Sequence, residues 1–166
     1  MLDIVTLGDE AMDGILRKKA EPIKDFGPDI KALVAGMHEA MLRGKGIGLA
    51  GPQVDRSLRI FVTNVEGDQP RAFINPELVM TSPEEVEYEE GCLSIPGLYT
   101  NVRRPASLRI QAWNERGRPF TLDATDLLAR VILHENDHLE GILFIDRLSA
   151  SRRERALATY LKKIRM

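Results

Sequence analysis

The sequence has a single cysteine, Cys92, so no disulfide can form within the chain. Scarcity of cysteine is typical of a reducing compartment, and we therefore expect a cytoplasmic location. No apolar run approaches the length needed to cross a bilayer, and the N-terminus lacks the basic and then apolar pattern of a secretory signal. These absences predict that the protein has no membrane partner.

The sequence also lacks a strong charge of either sign. Its 23 basic and 25 acidic residues give a formal net charge of -2, which is not the basic balance of a nucleic-acid-binding protein. A chain of 166 residues with this ordinary globular composition is expected to form one domain over residues 1–166. Such a domain can bury a core without a structural metal, so any bound metal is expected to be functional.

Helical patterns occupy three parts of the sequence. The predicted helices span residues 28–43, 125–140 and 152–166. For the second helix, Asp123 or Thr125 is predicted to cap the start, and Gly141 is placed for a left-handed end. For the third, Ser151 and Glu154 match the capping-box pattern.

Strand patterns lie between the first two helices. The predicted strands cover residues 58–65, 72–74, 107–114 and 119–123. The second of them is predicted to stop at Asn75-Pro76, and residues 114–117 are predicted to form a hairpin loop. The order of these elements predicts an α+β fold, with antiparallel strands packed around a central helix and a further helix at the C-terminus.

The central predicted helix carries an H-E-x-x-H motif from His134 to His138. Residues four apart lie on one face of a helix, so both imidazoles can reach one metal ion. Leu127 and Val131 precede them on that face, which places the pair at the edge of the core. The glutamate of this motif, Glu135, typically binds no metal and accepts a proton from the attacking water. The alternative interpretation is an amphipathic helix with two unrelated histidines.

A catalytic site of this kind normally has a third protein ligand. The extended metalloprotease pattern would require a third histidine at position 144, but the residue there is Phe144. A downstream carboxylate such as Glu154 is already used in the predicted capping box. The remaining candidate is Cys92, which is predicted to lie where a strand enters a tight turn. A lone cysteine is more often a small hydrophobic core residue than a ligand. Because a thiolate is a strong metal ligand and the two-histidine site lacks a third one, the ligand interpretation is favoured here.

Three segments, taken in order, resemble the signature motifs of peptide deformylases of the bacterial and organellar branch. They are G-I-G-L-A-G-P-Q at 46–53, E-G-C-L-S at 90–94 and H-E-N-D-H-L at 134–139. The likeness covers nearly the whole chain. Four residues depart from the usual pattern: Gly51, Arg130, Leu133 and Asn136. Of these, Arg130 is expected near the pocket for the substrate side chain.

The resemblance implies a hydrolase that removes the N-formyl group from the formyl-methionine of new polypeptides and releases formate. It implies that the metal ligands are Cys92, His134 and His138. It further implies that Glu135 transfers the protons, and that the Gln53 amide and the Leu93 backbone N–H stabilise the oxyanion.

We expect an apolar pocket for the methionine side chain and a peptide strand paired beside it. The candidate substrate-binding residues are Ile47, Gly48, Gly91, Leu127 and Val131. A ligand set of one thiolate and two imidazoles is typical of a zinc site. The resemblance instead implies Fe²⁺, with Zn²⁺, Ni²⁺ and Co²⁺ as further candidates.

Two other functions share parts of this pattern. An H-E-x-x-H metallopeptidase would recruit its third ligand downstream, and a non-catalytic deformylase-like binding module would be expected to lose Glu135 or Gln53. The C-terminal helix also has a basic face, which is interpreted as a solvated surface. The alternative for that face, implied by the resemblance, is a dock for ribosomal RNA. Its basic residues are Arg152, Arg153, Arg155, Lys162, Lys163 and Arg165.

Overall fold

The computed structural model describes residues 1–165 and has the predicted α+β fold. Met166, the last residue of the predicted third helix, lies outside the described residues. The helices are α1 (Asp13–Arg17), α2 (Pro28–Arg43), α3 (Asp126–Leu139) and α4 (Ala150–Ile164). The strands are β1 (Gly48–Ala50), β2 (Ile60–Thr63), β3 (Arg71–Thr81), β4 (Glu85–Cys92), β5 (Ile95–Pro105), β6 (Ser107–Trp113) and β7 (Pro119–Thr125). No helix within these residues is long and apolar enough to cross a membrane.

A five-stranded antiparallel sheet, in the order β1-β2-β3-β6-β7, lies between two helices. All of β2 is buried because its alternate side chains enter two different cores. Phe61 packs in the core that contains Ile132 of α3, whereas Ile60 packs in the core that contains Met37 of α2. Burial on both faces thus fixes α3, the helix with the H-E-x-x-H motif, against one side of the sheet.

Strands β4 and β5 form a separate antiparallel hairpin. Its inner side packs with α4 in a third core that contains Ile95, Phe144 and Tyr160. The buried Tyr160 hydroxyl donates to the carbonyl oxygen of Leu7. The C-terminal helix therefore connects the N-terminal segment to the hairpin, whose first strand ends at Cys92.

The boundaries of α3 and α4 correct two predicted caps. Asp123 is paired within β7, and Thr125 stands at the N-cap of α3 without a side-chain capping hydrogen bond. The predicted capping box of α4 is also wrong: Ser149 is its N-cap and accepts a hydrogen bond from Arg152 N–H. The helix starts at Ala150, two residues before the predicted start at Arg152, and the chain before it is extended at Leu148. The left-handed end at Gly141 is confirmed, with φ +74°.

The predicted end of the second strand is wrong as well. β3 continues through Asn75 to Thr81, with a register shift between Ile74 and Glu77. Asn75 has φ +50°, and its side-chain amide pairs with both the N–H and the C=O of Ile23 at 2.8 Å. The Asn75 N–H still donates to Arg59 O at 2.8 Å, so the Asn-Pro pair marks an irregular step in the strand without ending it. The sequence analysis did not identify α1, β1 or β5, and of β4 it predicted only the end at Cys92.

Candidate metal centre

The structure brings together the three predicted ligands, Cys92, His134 and His138. Their ligand atoms all lie within 4.8 Å of one another, and Cys92 Sγ is 3.5 Å from His138 Nε2. Both histidines are buried, and the cysteine is half-buried. Three such atoms at this spacing surround a volume that suits one ion.

Cys92 reaches α3 because β4 ends there. The register of the β4–β5 hairpin shifts between Gly91 and Cys92, and a two-residue turn through Leu93 and Ser94 follows. The expectation of a strand that enters a tight turn is therefore confirmed. The turn points the thiol at the histidine pair one layer away.

His134 has a fixed ring orientation and a fixed tautomer. Its Nδ1 lies 2.8 Å from Glu90 Oε1. Burial by itself would raise the pKa of Glu90, but hydrogen bonds from His134 and Arg104 outweigh burial and lower it to about 2. Because Glu90 is then a carboxylate, it accepts the proton on His134 Nδ1, which leaves Nε2 as the ring nitrogen that can bind a metal when it is deprotonated.

A buried network of charges surrounds Glu90, and the sequence analysis did not predict it. Arg104 donates to Glu90 through Nε at 2.5 Å and Nη2 at 3.0 Å, and through Nη1 to Asp137 Oδ2 at 2.9 Å. Arg147 makes two further bonds to Asp137, at 2.9 and 2.7 Å. The one sequence signal available was Glu90 itself, a carboxylate that opens the E-G-C-L-S segment two residues before Cys92. Its partners are far away in sequence.

Glu135 lies beside the cluster, with Oε2 3.9 Å from His134 Nε2. Among the described residues, its Oε1 is buried without a hydrogen-bond partner. Burial raises the pKa of Glu135 to about 7, against the opposing effect of His134. A carboxylate with this pKa can both accept and return a proton near neutral pH.

The cluster fits a divalent metal ion. One sulfur and two imidazole nitrogens are a common ligand set for zinc and for other divalent first-row metals. Burial would lower the pKa of His134, but Glu135, Cys92 and Glu90 raise it well above its ordinary value. The negative groups around this histidine therefore favour positive charge, which a dication supplies more fully than a proton does.

Gln53 is held rigidly next to the cluster. It is buried in the 3₁₀ turn Gly51–Val54, where its Oε1 accepts a hydrogen bond from Ala50 N–H at 2.9 Å. Its Nε2 donates to Ser94 Oγ at 3.1 Å and lies 3.4 Å from Cys92 Sγ. These bonds direct the donor end of the amide, rather than its oxygen, to the thiol.

A cleft of about 460 Å³ opens onto the cluster. All five residues predicted to bind substrate line it, as do Gln53, Leu93, His134 and Glu135. Val131 is buried deep in the cleft, whereas Ile47 and Leu127 are about 40% exposed at its mouth. Lining residues that the sequence analysis missed include Lys45, Glu89 and Tyr99. Arg130, expected near the pocket, also lines the cleft.

Two glycines of the cleft make room for the protein's own side chains. A Cβ on Gly48 would lie 2.6 Å from Glu135 Oε2 and 2.8 Å from Val131 Cγ1. A Cβ on Gly91 would lie 2.5 Å from the Tyr99 ring. Close approach of a substrate backbone was the predicted reason for these glycines, and the structure adds a second one.

Comparisons with known proteins show to which family this chain is related. A family model described as "Polypeptide deformylase" matches residues 1–154. A peptide deformylase of Treponema pallidum (strain Nichols) is 47% identical over 141 residues, 85% of this chain and 86% of the relative. Peptide deformylase 1 of Burkholderia multivorans is 46% identical over 154 residues, 92% and 84% of the two chains. The crystal structure of a peptide deformylase from Legionella pneumophila superposes with a TM-score of 0.90 at 38% identity, covering 99% of this chain and 96% of that one.

The α+β fold and the H-E-x-x-H helix beside a buried cysteine define a class of protein, the metal-dependent hydrolases with this motif. The comparisons identify the family within that class. The chain belongs to the polypeptide deformylase family. It is accordingly an enzyme that removes the formyl group from the N-terminus of new polypeptides.

Proposed function

We propose that Cys92, His134 and His138 hold one divalent metal ion and that Glu135 moves the protons of deformylation. The cluster of the three ligand atoms within 4.8 Å, beside a buried carboxylate, is the observation that carries this proposal. A bound dication supplies Lewis acidity, which activates water as a nucleophile and polarises the formyl carbonyl. The direct test is formate release from formyl-methionyl peptides.

Glu135 accepts a proton from water as the water oxygen bonds to the formyl carbon. The C–N bond then breaks, and Glu135 returns the proton to the departing amine nitrogen. These steps give formic acid and a free amine, and transfer of the acid proton to the amine then leaves formate and an ammonium N-terminus, so atoms and charges balance. The pKa of about 7 supports both transfers by the same group.

Gln53 and Leu93 stabilise the negative charge that develops on the formyl oxygen. The Gln53 Nε2 is already directed to the cluster by its bonds at Ala50 and Ser94. The Leu93 N–H lies in the turn directly after Cys92, at the wall of the same cleft. Two donors that the fold holds at one side of the cleft form an oxyanion hole, in which the Gln53 hydrogen that faces the Cys92 thiol turns to the developing oxyanion.

The substrate binds in extended form between two strand edges. β1 is the end strand of the five-stranded sheet and β4 belongs to the separate hairpin, and both contribute to the cleft, through Gly48 and Gly91. A peptide that pairs with such edges gains main-chain hydrogen bonds. The methionine side chain then occupies the apolar part of the cleft formed by Ile47, Leu127 and Val131.

Fe²⁺ is the ion we propose, with Ni²⁺, Co²⁺ and Zn²⁺ as the other candidates. The ligands satisfy all four ions, so the test is functional. The metal is removed and each ion is restored separately without air, and formate release is then compared at equal metal content. Equal rates with zinc and iron would refute the preference for iron and leave the deformylase assignment intact.

A metallopeptidase that cuts internal bonds is the main rival. It would require a downstream third ligand, but Glu154 is exposed on α4 and does not belong to the cluster. Under our proposal Cys92→Ala loses the metal, whereas a peptidase with a different third ligand would keep it. The presence of both Glu135 and Gln53 argues against a non-catalytic binding module.

We also propose a cytoplasmic location, and docking to ribosomal RNA through the basic face of α4 stays the alternative to a solvated surface. Arg152, Arg153 and Lys163 donate to Asn101 O, Asp146 and Gly97 O, which lie outside α4. Docking would therefore use mainly the exposed Arg155, Lys162 and Arg165. Reversal of these three charges tests the dock without removing the buried Tyr160, which a truncation would remove. Co-sedimentation with ribosomes should weaken with salt and with charge reversal. Equal sedimentation of variant and wild type would refute the dock.

A further inference from the structure

Arg130 is a buried arginine of α3, one helical turn before His134, and it lines the cleft. Its Nη1 donates to Glu90 Oε2 at 2.6 Å and to the carbonyl oxygen of Val102 at 2.9 Å. Its Nη2 donates to the carbonyl oxygen of Val86 at 2.6 Å. The guanidinium therefore joins α3 to both strands of the β4–β5 hairpin at the level of the candidate metal centre.

Arg130 and His134 hold the same carboxylate. Glu90 Oε1 lies 2.8 Å from His134 Nδ1, and Oε2 accepts from Arg130 and, from β5, Arg104. Because Arg130 and His134 are four residues apart on one helix face, the Glu90 side chain contacts α3 through both residues. Without Arg130, Arg104 on β5 would still hold both carboxylate oxygens, but the direct contact between Glu90 and α3 would rest on His134 alone.

We propose that Arg130 is a positioning residue for deformylation: through Glu90 it fixes the His134 ring, and so strengthens metal binding at the centre. This proposal rests on the proposed ligand set. Replacement of a group that orients a metal-ligating histidine typically lowers metal affinity ~10- to 100-fold. Since Arg130 acts through Glu90, we expect Arg130→Met to lower affinity by about tenfold, at the low end of that range.

The test uses cobalt(II), whose visible absorption reports on its ligands. Cobalt-loaded wild type, Arg130→Met and Arg109→Met are titrated with a chelator, and the metal affinity and the spectrum are recorded. Arg109 is the matched control, because it is an exposed arginine paired with Asp123 on the far strands. We expect a weaker affinity and an altered spectrum for Arg130→Met only. Equal affinities for the two variants would overturn the proposal.

A double-mutant cycle with Glu90→Gln separates positioning from general loss of structure. If Arg130 acts through Glu90, Arg130→Met should add little to the affinity loss of Glu90→Gln. Fully additive losses would overturn the proposal. Thermal unfolding of the metal-free proteins shows whether each variant folds. If Arg130→Met does not fold, Arg130→Lys takes its place, and because lysine retains the cation it should bind cobalt more tightly than a variant without the cation. No recovery by lysine would then count against the proposal, and a wild type that binds no cobalt would refute the ligand set itself.

Discussion

Gly48→Ala is expected to lower turnover by displacing the Glu135 carboxylate. A Cβ on Gly48 would lie 2.6 Å from Glu135 Oε2. Carbon and oxygen atoms in contact are normally roughly 3.3 Å apart or more, so the carboxylate must move by about 0.7 Å. A displacement of about 1 Å at a reacting group can cost ~10²-fold in rate. We therefore expect kcat to fall by about 10- to 100-fold.

The assay is formate release at matched metal content, with kcat and KM determined separately. Gly14→Ala is the control, since it makes the same chemical change in α1, where a Cβ would meet no atom within 4 Å. This control should keep wild-type kinetics and gain up to ~1 kcal/mol of stability from the better helix former. Thermal unfolding of both variants shows whether the loss at Gly48 reflects misfolding.

The result for Gly48→Ala distinguishes the two reasons for a glycine at this position. If Glu135 is displaced, kcat falls and KM changes little. If the glycine serves only the approach of the substrate backbone, KM rises and kcat is kept. Wild-type kcat in the variant would therefore refute the reasoning from the Gly48–Glu135 contact.

Three further predictions follow from the buried polar groups of the site. Glu135→Gln should keep its metal and lose ~10²- to 10⁴-fold in formate release, because an amide cannot accept the proton; wild-type turnover would remove Glu135 from the reaction. Asn136→Leu should stabilise the metal-free protein by about 1–2 kcal/mol in thermal unfolding, since Asn136 Oδ1 is buried without a partner among the described residues; a lower midpoint would contradict this. The pKa of Glu90 is lowered from 4.5 to about 2, so the stability from this carboxylate is present above pH 4.5 and lost as pH falls toward 2. Metal-free wild type should thus lose more stability than Glu90→Gln between about pH 5 and about pH 2, and parallel pH profiles would argue against it.

Local patterns were enough to predict the helices that matter for the site. Helix α2 has the predicted bounds because Pro28 suits a first helical position and Gly44 follows its last apolar turn. His134 and His138 were found because their spacing of four residues has meaning without tertiary structure. Cys92 has no local signature of a ligand and was found by elimination, as the third ligand that the two-histidine site lacked; the resemblance to a family then implied the same residue.

Features that depend on contacts between distant residues could not be predicted. The hairpin β4–β5 was missed because its buried positions include Glu90 and Arg104, which disguise the alternation of a strand. The bond between these two residues, and that between Arg104 and Asp137, join segments 14 and 33 residues apart. Their pairing has an energetic reason only once the fold has buried them together.

The central claim is tested most directly by a single assay of the iron-loaded protein prepared without air. A formyl-methionyl peptide is supplied, and formate, free N-termini and internal cleavage products are measured together, with Cys92→Ala as the control. We predict one formate for each methionine N-terminus freed, no internal cleavage, and no activity in the variant. Absence of formate from the metal-loaded wild type, or cleavage of internal peptide bonds, would contradict the account.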